Sequence, residues 1–117
     1  MMNNNIIKDK SYKFALRIVG LYKYLEKKES VLSKQILRSG TSVGANIEEA
    51  IGAQSRRDFL SKISIAYKEI RETKYWIRLL ADSNYIDKKI KISMLDDCEE
   101  LLKITGKIIS TLKTKSD

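Results

Sequence analysis

The chain has 117 residues, of which 23 are Lys or Arg and 15 are Asp or Glu, giving a formal net charge of +8. It has no Pro, no His and a single Cys. This length supports one domain with one core, the composition is that of an all-helical protein, and no apolar run approaches the ~20 residues of a membrane span. One Cys and an N-terminus without signal-like features point to a reducing, cytoplasmic setting. The positive excess is concentrated in residues 1–29 and 54–83. It favours attraction to polyanions, although a Lys-rich genome alone would give the same excess.

Met1 to Asn5 is polar and is expected to fray. A first helix is predicted over about residues 8–28, with Phe14, Ile18, Leu21 and Leu25 as its apolar stripe. Lys10, Lys13, Arg17 and Lys27 lie off that stripe. After a short break, Ser30 is expected to cap a second helix over about 31–53. A short connection makes these two helices antiparallel neighbours.

The second helix organises the chain. It holds Gly40 and Gly44 in mid-span, and each interior Gly costs about 0.8–1.0 kcal/mol relative to Ala. Two such residues imply close helix packing, because a missing side chain lets another backbone approach. At about 100° per residue, Leu32, Ile36, Gly40, Val43, Ile47 and Ile51 share an apolar face. Arg38, Ser42, Asn46 and Glu49 form a polar stripe nearly opposite.

Ser55 to Asp58 reads as a capping box with Asp in place of Glu, opening a third helix over about 56–82. Phe59, Ile63, Ala66, Ile70, Thr73, Ile77 and Leu80 alternate by four and three, a heptad seam suited to shallow bundle packing. One flank carries Ile65, Glu69, Glu72 and Trp76, the other Tyr67, Arg71, Lys74 and Arg78. Ser83-Asn84 is a turn signal. A fourth helix is predicted over about 87–113, capped by Asp87, with Ile90, Met94, Leu101, Ile104, Ile108 and Leu112 inside. Its acids cluster at Asp96, Asp97, Glu99 and Glu100.

Three candidate sites emerge. The stripe Arg38, Ser42, Asn46 and Glu49 combines a planar donor fork, an acceptor and two mixed groups, which suits a subunit contact, a phosphate or a base edge; a solvated helix face is the plain alternative. The basic flank Tyr67, Lys68, Arg71, Lys74 and Arg78, with Tyr75 beside it, pairs ring faces for base stacking with cations for phosphate. Its plain alternative is snorkelling along the core edge. Lys10, Lys13 and Arg17 of the first helix extend this candidate nucleic-acid surface. A carboxylate metal site from Glu49, Glu69 and Glu72 is disfavoured, since bundle di-iron centres use Glu-x-x-His pairs and there is no His. Cys98 lacks a His to activate it and sits among acids. Arg38-Ser-Gly-Thr lacks the spacing of a phosphate-binding loop. No cofactor, metal or catalytic residue is therefore expected.

The run from Gln35 through Arg38, Ser42, Asn46 and Glu49 resembles the signature of the 23S rRNA-intervening sequence protein family. A second block, Asp58-Phe59-Leu60 followed by Ala66 through Glu69, Glu72 and Trp76, is similar at the expected distance. The resemblance spans roughly Tyr12 to Leu112. It implies a small four-helix bundle, commonly a homopentamer, with a poorly defined biochemical role. A related branch serves as a basic, nucleic-acid-binding accessory protein in diversity-generating retroelements.

The expectation is thus an all-α, antiparallel up-down-up-down four-helix bundle forming a single domain. Two functions stand open. One is a non-enzymatic, homo-oligomeric accessory protein that binds RNA or DNA. The other is a scaffold that binds proteins and has no nucleic-acid role. Neither involves a membrane.

Overall fold

A computed structural model describes residues 4–115, with side chains from Ile6 to Thr114. They form α1 (Asn4–Leu25), α2 (Ser30–Ile51), α3 (Arg56–Asp82) and α4 (Lys88–Lys115), with no strand among the described residues. The elongated body measures 49 × 21 × 20 Å. Chain order gives the packing order: α2 lies against both α1 and α3, and α4 against α3, while α1 and α4 meet only lightly.

The first helix departs from its predicted bounds at both ends. Its apolar stripe begins two turns earlier, because Ile7 is buried with Phe14, Ile18, Leu21 and Leu25. It stops at Leu25, whose carbonyl accepts from the N–H groups of both Lys28 and Glu29 as the chain turns back. The expected fraying of Met1 to Asn3 lies outside the described residues, and Asn4 and Asn5 are helical.

The cap of α2 is Glu29 and not Ser30. With extended backbone at φ −150°, Glu29 turns its carboxylate back to accept from Val31 N and Leu32 N, both at 2.7 Å. A full negative charge at the positive end of a helix outcompetes a hydroxyl for these N–H groups. The other predicted caps form: Ser55 Oγ accepts from Asp58 N at 3.0 Å, and Asp87 Oδ1 from Ile90 N at 2.8 Å. Helix α4 starts one residue later than expected and continues to Lys115.

The end of α3 is closed by Asn84 at φ +67°. This left-handed residue lets Tyr85 N reach Leu80 O and Asn84 N reach Ala81 O, satisfying two carbonyls that the helix leaves open. Asn is among the few L-residues that adopt this conformation readily.

The α3 seam packs as predicted from Ile63 to Leu80, with Phe59 half-buried at its start. The face of α2 is rotated from expectation. Ile51 is exposed and Leu32 half-buried, while Ser33, Ser39 and Ala50 are buried. The cause is that α2 is flanked on two sides, so small residues at the edges of its apolar face are covered as well. Ser39 and Thr73 share a buried hydroxyl hydrogen bond of 2.9 Å across the α2/α3 seam. Gly40 and Gly44 face α1: an added Cβ would lie 2.6 Å from Ile18 Cγ1 at the first and 3.3 Å from the Ser11 carbonyl oxygen at the second.

Candidate nucleic-acid interface

The heptad of α3 decides which basic side chains are available. With Ile63, Ala66, Ile70, Thr73, Ile77 and Leu80 inside, Tyr67 and Lys74 fall on the flank toward α4. Glu69 and Trp76 fall on the flank toward α2. Lys68, Arg71, Tyr75 and Arg78 occupy the outward positions, within about 80° of one another. All four are exposed, Tyr75 by 53%. Among the described residues no carboxylate pairs with Lys68, Arg71 or Arg78.

The structure thus divides the predicted basic surface. Lys74 is paired with Glu99 of α4, and Tyr67 is half-buried, its ring edge 3.4 Å from where a Cβ on Gly106 would sit. On α1, Lys10 pairs with Glu100 at 2.9 Å, and Arg17 binds Asp97 at 2.5 Å and Ser93 Oγ at 2.8 Å. Lys10, Arg17 and Lys74 therefore do not form an open surface with Lys68, Arg71 and Arg78. The acidic turn of α4 is their counterion. Lys13 stays exposed, one turn from Arg17. Tyr75 takes the prominent aromatic place expected for Tyr67. Outward against flanking heptad positions separates Lys68, Arg71, Tyr75 and Arg78 from Tyr67 and Lys74 on α3; the pairing of Lys10 and Arg17 has no such local signal.

The polar stripe of α2 does not stand clear of the bundle; it lies along the α2/α3 seam. Arg38 reaches Glu69 at 3.3 Å, pairs with Glu72 and donates from Nε and Nη2 to Gln35 Oε1. Glu72 also accepts from Trp76 Nε1 at 2.9 Å, which fixes the indole over the seam. Asn46 Nδ2 donates to the carbonyl and hydroxyl of Ser42 at 2.9 and 3.0 Å. Glu49 pairs with Lys62 at 2.9 Å, and this hydrogen bond and charge raise the lysine's pKa above its ordinary value. Each stripe member thus has a partner within one chain. That Glu69 and Glu72 pair with a basic neighbour is expected from the sequence; which neighbour it is follows only from the fold, because helical periodicity does not say what faces a flank.

The remaining chemistry is sparse. Among the described residues no group of three or more His, Cys, Asp or Glu side chains is placed to hold a metal. Cys98 is fully buried, and burial, reinforced by Asp97, pushes its thiol up to about 12. No described helix is long and apolar enough to cross a membrane.

A different surface lies on α1 and α2. Tyr12 and Leu16 are 61% and 56% exposed one turn apart. Beside them runs a groove of about 260 Å³ lined by Ala15, Thr41, Gly44, Ala45 and Glu48.

Comparison with solved structures finds a close likeness to a protein of unknown function from the S23 ribosomal protein family of Bacteroides thetaiotaomicron. It is 54% identical, with a TM-score of 0.90, over 93% of this chain and 99% of the other. No curated protein matches. The sequence profile of the 23S rRNA-intervening sequence proteins covers residues 3–107, which takes in three whole helices and most of α4. Profile, fold and near-complete structural overlap agree, and the chain belongs to the 23S rRNA-intervening sequence protein family.

Proposed function

We propose that this protein is a non-enzymatic, cytoplasmic accessory factor that binds nucleic acid through the outward face of α3. One observation carries the reading. Lys68, Arg71 and Arg78 line up around an exposed Tyr75, while the neighbouring acids of α4 are engaged by Lys10, Arg17 and Lys74. A cationic ridge with an exposed ring, held edge-on against Trp76, suits phosphate contacts backed by stacking. We further propose that the protein works as a homo-oligomer, a pentamer by family resemblance. Repeating one modest ridge in every subunit would raise its avidity.

The test is fluorescence anisotropy against a structured RNA and a duplex DNA over a salt series, on protein of determined native mass. The expected result is binding whose logarithm falls linearly with log salt and is lost in Arg71→Glu/Arg78→Glu. Absence of binding to either probe at low salt would overturn it.

The second reading is a protein-binding scaffold without a nucleic-acid role. It is favoured by the exposed Tyr12 and Leu16 beside the small-residue groove of α2, since contiguous exposed apolar surface marks interaction sites. Under that reading the charge reversals on α3 leave partner capture intact.

A further inference from the structure

The α3/α4 seam opens outward in a groove of about 440 Å³. Tyr67 and Ile109 supply its apolar wall, Ser64 and Ser110 its hydroxyls, and Gly106 an edge without a side chain. Lys68 and Lys113 line it at the rim. Lys68 also belongs to the outward ridge, so groove and ridge are continuous, and Arg71 follows one turn further along α3.

Among the described residues no carboxylate lines this groove. The groove between α1 and α4 is lined by Asp97 and Glu100. The two beside Tyr12 include Glu48, one of them with Asp9 as well. A carboxylate wall repels a phosphate chain, whereas the described lining of the Tyr67 groove presents Lys68, hydroxyls and apolar surface.

From this, and resting on the nucleic-acid reading above, we infer that the Tyr67 groove receives an unpaired base of a single-stranded segment whose phosphates lie on Lys68 and Arg71. A ring wall accepts any base by stacking. A paired base cannot enter, because its faces are covered within the duplex. The ridge alone reads phosphate in either form. The groove therefore gives the protein a preference for single strands, loops or bulges over continuous duplex, without base-specific contacts.

The test compares a labelled oligouridylate with an RNA duplex of the same length, at one salt concentration, using three variants. Tyr67→Ala should weaken oligouridylate binding roughly tenfold, the scale of one lost base–aromatic stack, and leave duplex binding unchanged. Tyr67→Phe should retain the single-strand preference. Gly106→Leu fills the groove from α4, covering the Tyr67 ring from a Cβ 3.4 Å from its edge, and should mimic Tyr67→Ala; it keeps the test decisive if the alanine variant unfolds. Equal affinity of the parent for both probes, or an unchanged preference in Gly106→Leu and a folded Tyr67→Ala, would overturn the inference while leaving the ridge in place. Failure of the parent to bind either probe would overturn the ridge and the groove together.

Discussion

Gly40 of α2 lies directly beneath Ile18 of α1, so close that a Cβ at this position would sit 2.6 to 2.8 Å from three carbons of the isoleucine side chain. Ile18 is fully buried, so the clash falls inside the core. Gly40→Ala should therefore destabilise the protein by about 1–3 kcal/mol, the usual cost of overpacking a core. Gly20 provides the control, since nothing lies within 4 Å of its added Cβ. Gly20→Ala should stabilise by about 0.8–1.0 kcal/mol through helix propensity alone. Urea denaturation of both variants measures the opposite signs.

Arg38 joins two carboxylates of α3 from the neighbouring helix. Arg38→Ala leaves Glu69 and Glu72 facing each other without a cation. Because the guanidinium is half exposed, the loss should be about 1 kcal/mol or less. Native mass should stay unchanged, as this contact is internal to the chain. A fall in native mass with unaltered chain stability would instead assign Arg38 to a subunit contact.

The salt dependence of nucleic-acid binding should separate free from paired cations. Neutralising Arg71 or Arg78 to Gln should reduce the slope of log affinity against log salt by about 0.7–0.9 each. Lys74→Gln and Lys10→Gln should scarcely alter it, since each ammonium already has a glutamate partner. An equal effect from all four would mean that the α4 acids release their partners on binding.

Cys98 provides an alkaline probe. Its pKa is raised to about 12 in the folded protein, from a reference value of 9.0, first by burial and then by Asp97. Between those two values the folded state holds a proton that the unfolded state has lost. Stability should therefore fall as pH rises from 9 toward 12. Near neutral pH the thiol should react with an aromatic disulfide reagent only at the rate of unfolding, with the full reaction appearing in denaturant. Rapid reaction in the native state would place Cys98 at the surface.

The third helix was legible in the sequence because its heptad is unbroken from Ile63 to Leu80 and both ends carry local signals, Ser55 with Asp58 and the Ser83-Asn84 turn. Such features depend on residues within one turn of each other. The cap at Glu29 was not legible, because its competitor Ser30 is the commoner cap and the choice rests on where the chain leaves Leu25. The site was half legible. Periodicity placed Arg71 and Arg78 off the core but could not tell that Lys10, Arg17 and Lys74 would meet the acids of α4. Pairing across 25 to 90 residues of sequence is a property of the assembled bundle.

The light contact between α1 and α4 leaves a mark on how the molecule opens. Helices α2 and α3 form a central hairpin, and each outer helix leans on its own side of it. Loss of α1 removes cover from α2 and loss of α4 removes cover from α3, and the two events are linked mainly by the polar contacts Lys10–Glu100, Arg17–Asp97 and Arg17–Ser93. The fold therefore has two nearly independent ways to loosen around one persistent centre, and its amide protons should divide accordingly into a slow inner pair of helices and two faster outer ones.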